Sequence, residues 1–155
     1  MATTFDLKRI KRITTIYAVV QVLLVLLLVY MALLFQGKFL ALGTPDLFTK
    51  SIIGTLVIQL ILFYPLNKFA AGDAERELAE SRVGISTEEL AALRKKRVYS
   101  DFMKGALFIF FIAFIARAPG VTRVLCITFF VFVTSILTYF QCYNFAVKRA
   151  IRRNS

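Results

Sequence analysis

The sequence has no histidine and only two cysteines in 155 residues. Without histidine the chain lacks the commonest general base and the commonest metal ligand. The two thiols, Cys126 and Cys142, fall in one apolar run. On one helix they sit about 24 Å apart, far beyond the ~7 Å that a disulfide spans. Packing is their expected role, and an intermolecular bridge is the alternative. No Ser/His/Asp set, HExxH helix, phosphate-binding glycine loop or zinc spacing is present, so no cofactor or metal is expected. Acidic residues are scarce too, 9 against 20 Lys+Arg, giving a net charge of +11. The basic residues gather at the edges of apolar runs, as membrane topology requires. They are not interleaved with the aromatic and motif residues of a nucleic-acid reader, so no nucleic-acid partner is expected.

What the chain does have is apolar residues, 59% of the total, with a mean hydropathy of +0.73. Soluble domains run nearer 45–50% apolar, so this excess calls for another solvent. The first run, Ile13 to Phe35, is uncharged and meets the ~20 residues a bilayer core requires. The basic KRIKR before it resembles a signal-peptide start, but the run is too long and no A-x-A site follows. A retained transmembrane helix is expected. The second run, Ser51 to Asn67, is flanked by Lys50 and Lys68, which can snorkel. Pro65 is expected to kink or end it. The third reaches spanning length from Tyr99 to Arg117 if Lys104 snorkels. The fourth, Val124 to Val147, is uncharged. Pro119-Gly120 between the last two predicts a tight helical hairpin.

Charge placement orients these spans. Lys8, Arg9, Lys11 and Arg12 precede the first run; Lys148, Arg149, Arg152 and Arg153 follow the last. Eight more basic residues lie from Lys68 to Lys104. With four spans all sixteen fall on one side, and the positive-inside rule makes that side cytoplasmic. Tyr17, Tyr64, Tyr99, Tyr139 and Tyr143 fall near the same interface, as an aromatic belt would. The expected fold is an all-α integral membrane protein. It is a four-transmembrane-helix bundle with both termini cytoplasmic and a helical cytoplasmic insertion, residues 68–98, between helices 2 and 3. A bacterial inner membrane is the expected location.

Within the insertion, Ala74 to Arg82 reads as a short helix broken by Gly84. Ser86 and Glu89 form a capping box for the next helix, and nothing stops that helix before Pro119. Helix 3 therefore starts at about Thr87 in the cytoplasm and enters the bilayer unbroken. Arg94, Lys95, Lys96 and Arg97 fall near the lipid surface, as contacts for anionic headgroups or for a protein partner. Arg97, Asp101 and Lys104 share a face and predict an ion-pair ladder.

The spans themselves carry few polar groups. Gln21 and Gln59 lie deepest, and a polar conduit through them is the sharper alternative to plain packing. Thr128, Val131, Ser135, Thr138, Cys142 and Phe145 recur at alternating three- and four-residue steps, a helix-packing seam within the bundle or between protomers. Phe108, Phe110, Phe111, Phe129, Phe130 and Phe132 read as an outer face for lipid or a partner. Asp73, Glu75, Glu77 and Asp101 are the available acid/base groups. Three function classes remain. The first is a non-enzymatic accessory, scaffold or assembly subunit in a homo-oligomer or larger membrane complex. The others are a small oligomeric channel or transporter, and an enzyme acting on a lipid at the cytoplasmic interface.

Overall fold

A computed structural model of the chain describes residues 7–81, 84–117 and 120–154. It contains four helices: α1 (Leu7–Ala41), α2 (Pro45–Glu80), α3 (Thr87–Arg117) and α4 (Thr122–Asn154). All four are long and apolar enough to cross a membrane. At 1.5 Å per residue even the shortest exceeds the ~30 Å hydrocarbon core.

The connections follow from local chemistry. Gly43 takes φ +69°, the left-handed conformation that closes a helix. The Thr44 amide donates to the Phe39 carbonyl at 2.9 Å and the Gly43 amide to the Leu40 carbonyl at 3.0 Å, a Schellman closure. Pro45 then starts α2, where its missing N–H costs nothing. At the start of α3 the Glu89 amide donates to the Ser86 hydroxyl at 3.2 Å, satisfying one orphan donor of the first turn.

α2 differs from its sequence reading. It does not stop at Pro65, and Ala74 onward is not a separate short helix; one helix runs from Pro45 to Glu80. Pro65 is exposed, as is Ile61, whose carbonyl the missing N–H would have bonded. The ring is therefore turned largely to the outside of the bundle, and a single lost bond does not end a helix packed on both sides of it. Downstream, the Ala- and Glu-rich segment has high helix propensity. Arg82 and Pro119 lie outside the described residues.

Two clusters fix how the helices run. At one end Ile10 packs with Ala70, Ala74, Leu78, Cys142, Tyr143 and Val147. At the other Phe35 and Phe39 pack with Cys126 and Phe130, and against Leu47, Phe48 and Ile52. So α1 is antiparallel to α2 and α4, which are parallel to each other. α2 turns a stripe of small residues inward, with Ser51, Thr55, Ala70 and Ala74 all buried. The Ser51 and Thr55 hydroxyls donate to the Leu47 and Ser51 carbonyls of their own helix, which removes the cost of burying them. Small residues of this kind let transmembrane helices approach closely. α3 is attached more sparsely. Its apolar half meets the bundle where Phe108 and Phe111 lie on Phe132, at 5.1 and 4.8 Å between ring centroids. The six phenylalanines therefore do not form one outer face. Phe130 is in the core, Phe132 is covered by α3, and Phe110 remains exposed.

Candidate functional site

The polar part of the molecule is organised where α2 and α3 run antiparallel beyond the uncharged stretch of α2. Asp73 is its centre. Lys104 Nζ lies 2.6 Å from Asp73 Oδ2, and the Tyr139 hydroxyl donates to the same oxygen at 2.7 Å. The Ser100 hydroxyl donates to Oδ1 at 3.1 Å, and Arg76 Nη1 approaches it at 3.3 Å. One turn further along, Arg97 Nη1 bridges Glu77 Oε2 at 3.1 Å and Glu80 Oε2 at 3.0 Å. Asp101 completes the arrangement on α3, 3.7 Å from Arg97 and 3.6 Å from Lys104. The expected ladder on α3 is therefore one rail of a larger network, whose other rail is the acidic face of α2.

Asp73 lies six residues past the second uncharged run. Burial alone would push its carboxyl up. Hydrogen bonds from Lys104, Tyr139 and Ser100, with the Lys104 charge, outweigh burial and hold the carboxyl below its ordinary value. Asp73 is thus an ionised acceptor at neutral pH, not a proton donor. Above it Tyr17, Tyr139 and Tyr143 pack together, with ring centroids 4.9 Å apart for Tyr17–Tyr143 and 6.5 Å for Tyr139–Tyr143. Lys104 also lies over the Tyr139 ring, 5.2 Å from its centroid, a cation–π contact. These tyrosines and the charged groups enclose a half-open cavity of about 250 Å³. Tyr64 and Tyr99 are the exposed members of the expected belt. Among the described residues no group of three or more Cys, Asp and Glu is placed to hold a metal.

The basic run divides. Arg97 turns inward, whereas Arg94, Lys95 and Lys96 are exposed. Lys95, Lys96, Tyr99 and Ser100 of α3, with Phe69 and Arg76 of α2, line a groove of about 440 Å³ on the other side of the hairpin.

The two glutamines of the spans are not brought together. Gln59 is engaged by α4: its amide nitrogen donates to the Thr138 hydroxyl at 2.8 Å, and its oxygen accepts from Thr134 and Ser135, each at 3.2 Å. Gln21 instead faces a separate cleft that Thr138 also lines. Along the α4 seam, Ser135 and Thr138 meet α2, Cys142 is buried, Thr128 is half-buried and Phe145 is 70% exposed. Thr134 joins the α2 contact, although it lies off the alternating pattern. Sequence reasoning missed Ser100, Glu80 and the Asp73–Tyr139 bond as parts of one site. The acidic spacing Asp73, Glu77, Glu80 is the available signal, because it repeats the four-then-three steps of Arg97, Asp101, Lys104.

Compared with protein family models, curated proteins and solved structures, the chain finds no match in any of the three.

Proposed function

We propose that this chain is a multi-pass membrane protein of the accessory, scaffold or assembly kind, acting through the α2–α3 hairpin and not through catalysis. One observation carries this reading: the consecutive basic residues are divided between two tasks. Arg97 locks α3 to α2 through Glu77 and Glu80, while Lys95 and Lys96 join Arg76 in an open groove with Tyr99. Cations beside an aromatic rim fit an anionic lipid headgroup or the acidic surface of a membrane partner, at about 1 kcal/mol per basic residue near the surface. By sequence, the two terminal flanks and the segment between the second and third spans carry sixteen of the twenty basic residues, so the hairpin end is assigned to the cytoplasm together with both termini. A bacterial inner membrane is the proposed location. The sparse packing of α3 leaves Ile109 and Phe110 exposed along the span, a surface suited to a homo-oligomer or a larger complex.

Purification in mild detergent, with mass measurement and identification of bound proteins, tests the proposal. An oligomer or a defined complex is expected, and its co-purifying anionic lipid should fall in R94Q/K95Q/K96Q. A lone monomer that turns over a lipid overturns it.

A further inference from the structure

A cleft of about 800 Å³ opens between α1, α2 and α4, on the side of the bundle away from the charged network. This is within the ~300–1,000 Å³ typical of ligand sites. Its polar lining consists of Gln21 from α1, Asn67 from α2, and Thr138 and Gln141 from α4. Thr138 is already bonded, to Gln59 and to the Thr134 carbonyl. Among the described residues none hydrogen-bonds the side chain of Gln21, Asn67 or Gln141. No charged side chain lines the cleft. The register of the helices puts the amides towards the hairpin end, since α1 is antiparallel to α2 and α4. Val22, Val25 and Leu26 of α1, with Phe63 of α2, continue the wall from there towards the middle of the spans. Val22, Leu26 and Phe63 are exposed, so the cleft is open to the side.

Gln21 lies about 13 Å along α1 from Arg12, and Gln141 about 10 Å along α4 from Lys148. Asn67 adjoins Lys68 at the interface itself, so the three amides step from the headgroup level to the edge of the hydrocarbon, where an amide without a partner costs free energy. Three such amides lining one open cleft fit a ligand that supplies neutral acceptors at the edge of the hydrocarbon and an apolar chain below it. We propose that the cleft holds one glycerolipid of the surrounding leaflet. Its ester carbonyls accept hydrogen bonds from the Gln21, Asn67 and Gln141 amide nitrogens, and an acyl chain lies along Val22, Val25, Leu26 and Phe63. The site reads the ester linkage, because it offers amides and no charge. It is separate from the basic groove and does not depend on the function proposed for that groove.

The test uses the full chain in nanodiscs of equal parts dioleoylphosphatidylcholine and its diether analogue, which lacks the carbonyls. The shared zwitterionic headgroup keeps the basic groove out of the comparison. Native mass spectrometry after extraction counts the lipid retained. One retained lipid is expected, with diester favoured over diether roughly tenfold, the effect of two to three modest intramembrane hydrogen bonds. Q21L/Q141L should abolish the preference. V25W, which fills the apolar wall, should abolish retention, with helical circular dichroism unchanged in both variants. Equal retention of the two lipids by the unaltered chain overturns the proposal, as does a preference that survives Q21L/Q141L. A chain that retains no lipid, as monomer or as dimer, also overturns it.

Discussion

Lys104 and Asp73 meet at 2.6 Å because two helices present the same interval in opposite directions. Asp73 and Glu80 are seven residues apart on α2; Arg97 and Lys104 are seven apart on α3. In an antiparallel pair, equal intervals align both ends at once, so Arg97 reaches Glu80 as Lys104 reaches Asp73. Two turns of helix bring both partners back to one face. The network therefore sets the register of α3, which has few other contacts to do so.

Removing the Asp73 charge should destabilise the fold more than any other single polar change in the network. Asp73→Asn leaves Lys104 without its counter-charge and weakens the bonds from Tyr139 and Ser100. Breaking a well-buried pair costs about 3–5 kcal/mol. The Lys104 side chain is 34% exposed, so about 2–3 kcal/mol is expected here. Lys104→Met should cost less, and the double variant less than the two single losses together, with a coupling of about 1–2 kcal/mol. Equilibrium unfolding in detergent measures the cycle. Strict additivity would show that the contact does not hold α3.

The same network predicts acid sensitivity. The Asp73 carboxyl is held below its ordinary value of 3.8. A depressed carboxylate contributes stability that is complete above the unfolded value and is lost as pH falls through the folded one. The α2–α3 contact should thus be unchanged from about pH 8 down to about pH 5 and loosen only below about pH 4. Disulfide trapping between cysteines placed on α2 and α3, compared across that range, reads the effect. Loosening near neutral pH would contradict an ionised Asp73.

How much of this was legible beforehand depended on whether the signal was local. The four apolar helices follow from uncharged stretches with basic edges, and the start of α3 follows from Ser86 and Glu89, three residues apart. The continuation of α2 past Pro65 was not legible, because it depends on which side of the helix faces away from the bundle. Nor was the bond between Asp73 and Tyr139, which are 66 positions apart. Nothing near Tyr139 marks it as a donor to an aspartate on another helix. Gln21 and Gln59 look alike in sequence, both lone amides in apolar runs. Only packing separates them, one bonded by α4 and the other facing a cleft.

Gln59 gives the measure of polar packing between α2 and α4. Its side chain meets three hydroxyls, yet Thr138 accepts from it while donating to the Thr134 carbonyl at 2.8 Å, and the single Thr134 hydroxyl proton has the Phe130 carbonyl at 2.6 Å as its alternative acceptor. Gln59→Leu therefore removes bonds without leaving those donors orphaned. Intramembrane hydrogen bonds average about 0.6 kcal/mol and reach about 1.7. The expected loss is in that range, measured by unfolding in mixed micelles. A loss above about 3 kcal/mol would mean that the amide organises the helix pair and does not merely join it.

Orientation is tested by accessibility of single cysteines to a membrane-impermeant thiol reagent, in a chain whose buried Cys126 and Cys142 are first replaced by alanine. Ser86→Cys should react from the cytoplasmic side, since it precedes the basic run of α3. Its counterpart is best placed at Thr44 and not at Gly43. Gly43 has φ +69°, where a side chain costs roughly 1 kcal/mol or more. Thr44 makes no side-chain cap hydrogen bond, so Thr44→Cys leaves the Schellman closure and the Pro45 start intact. It should react only from the opposite side. The reverse pattern would place the Arg97–Glu80 network and both chain ends outside, and would remove the cytoplasmic setting of the proposed partner.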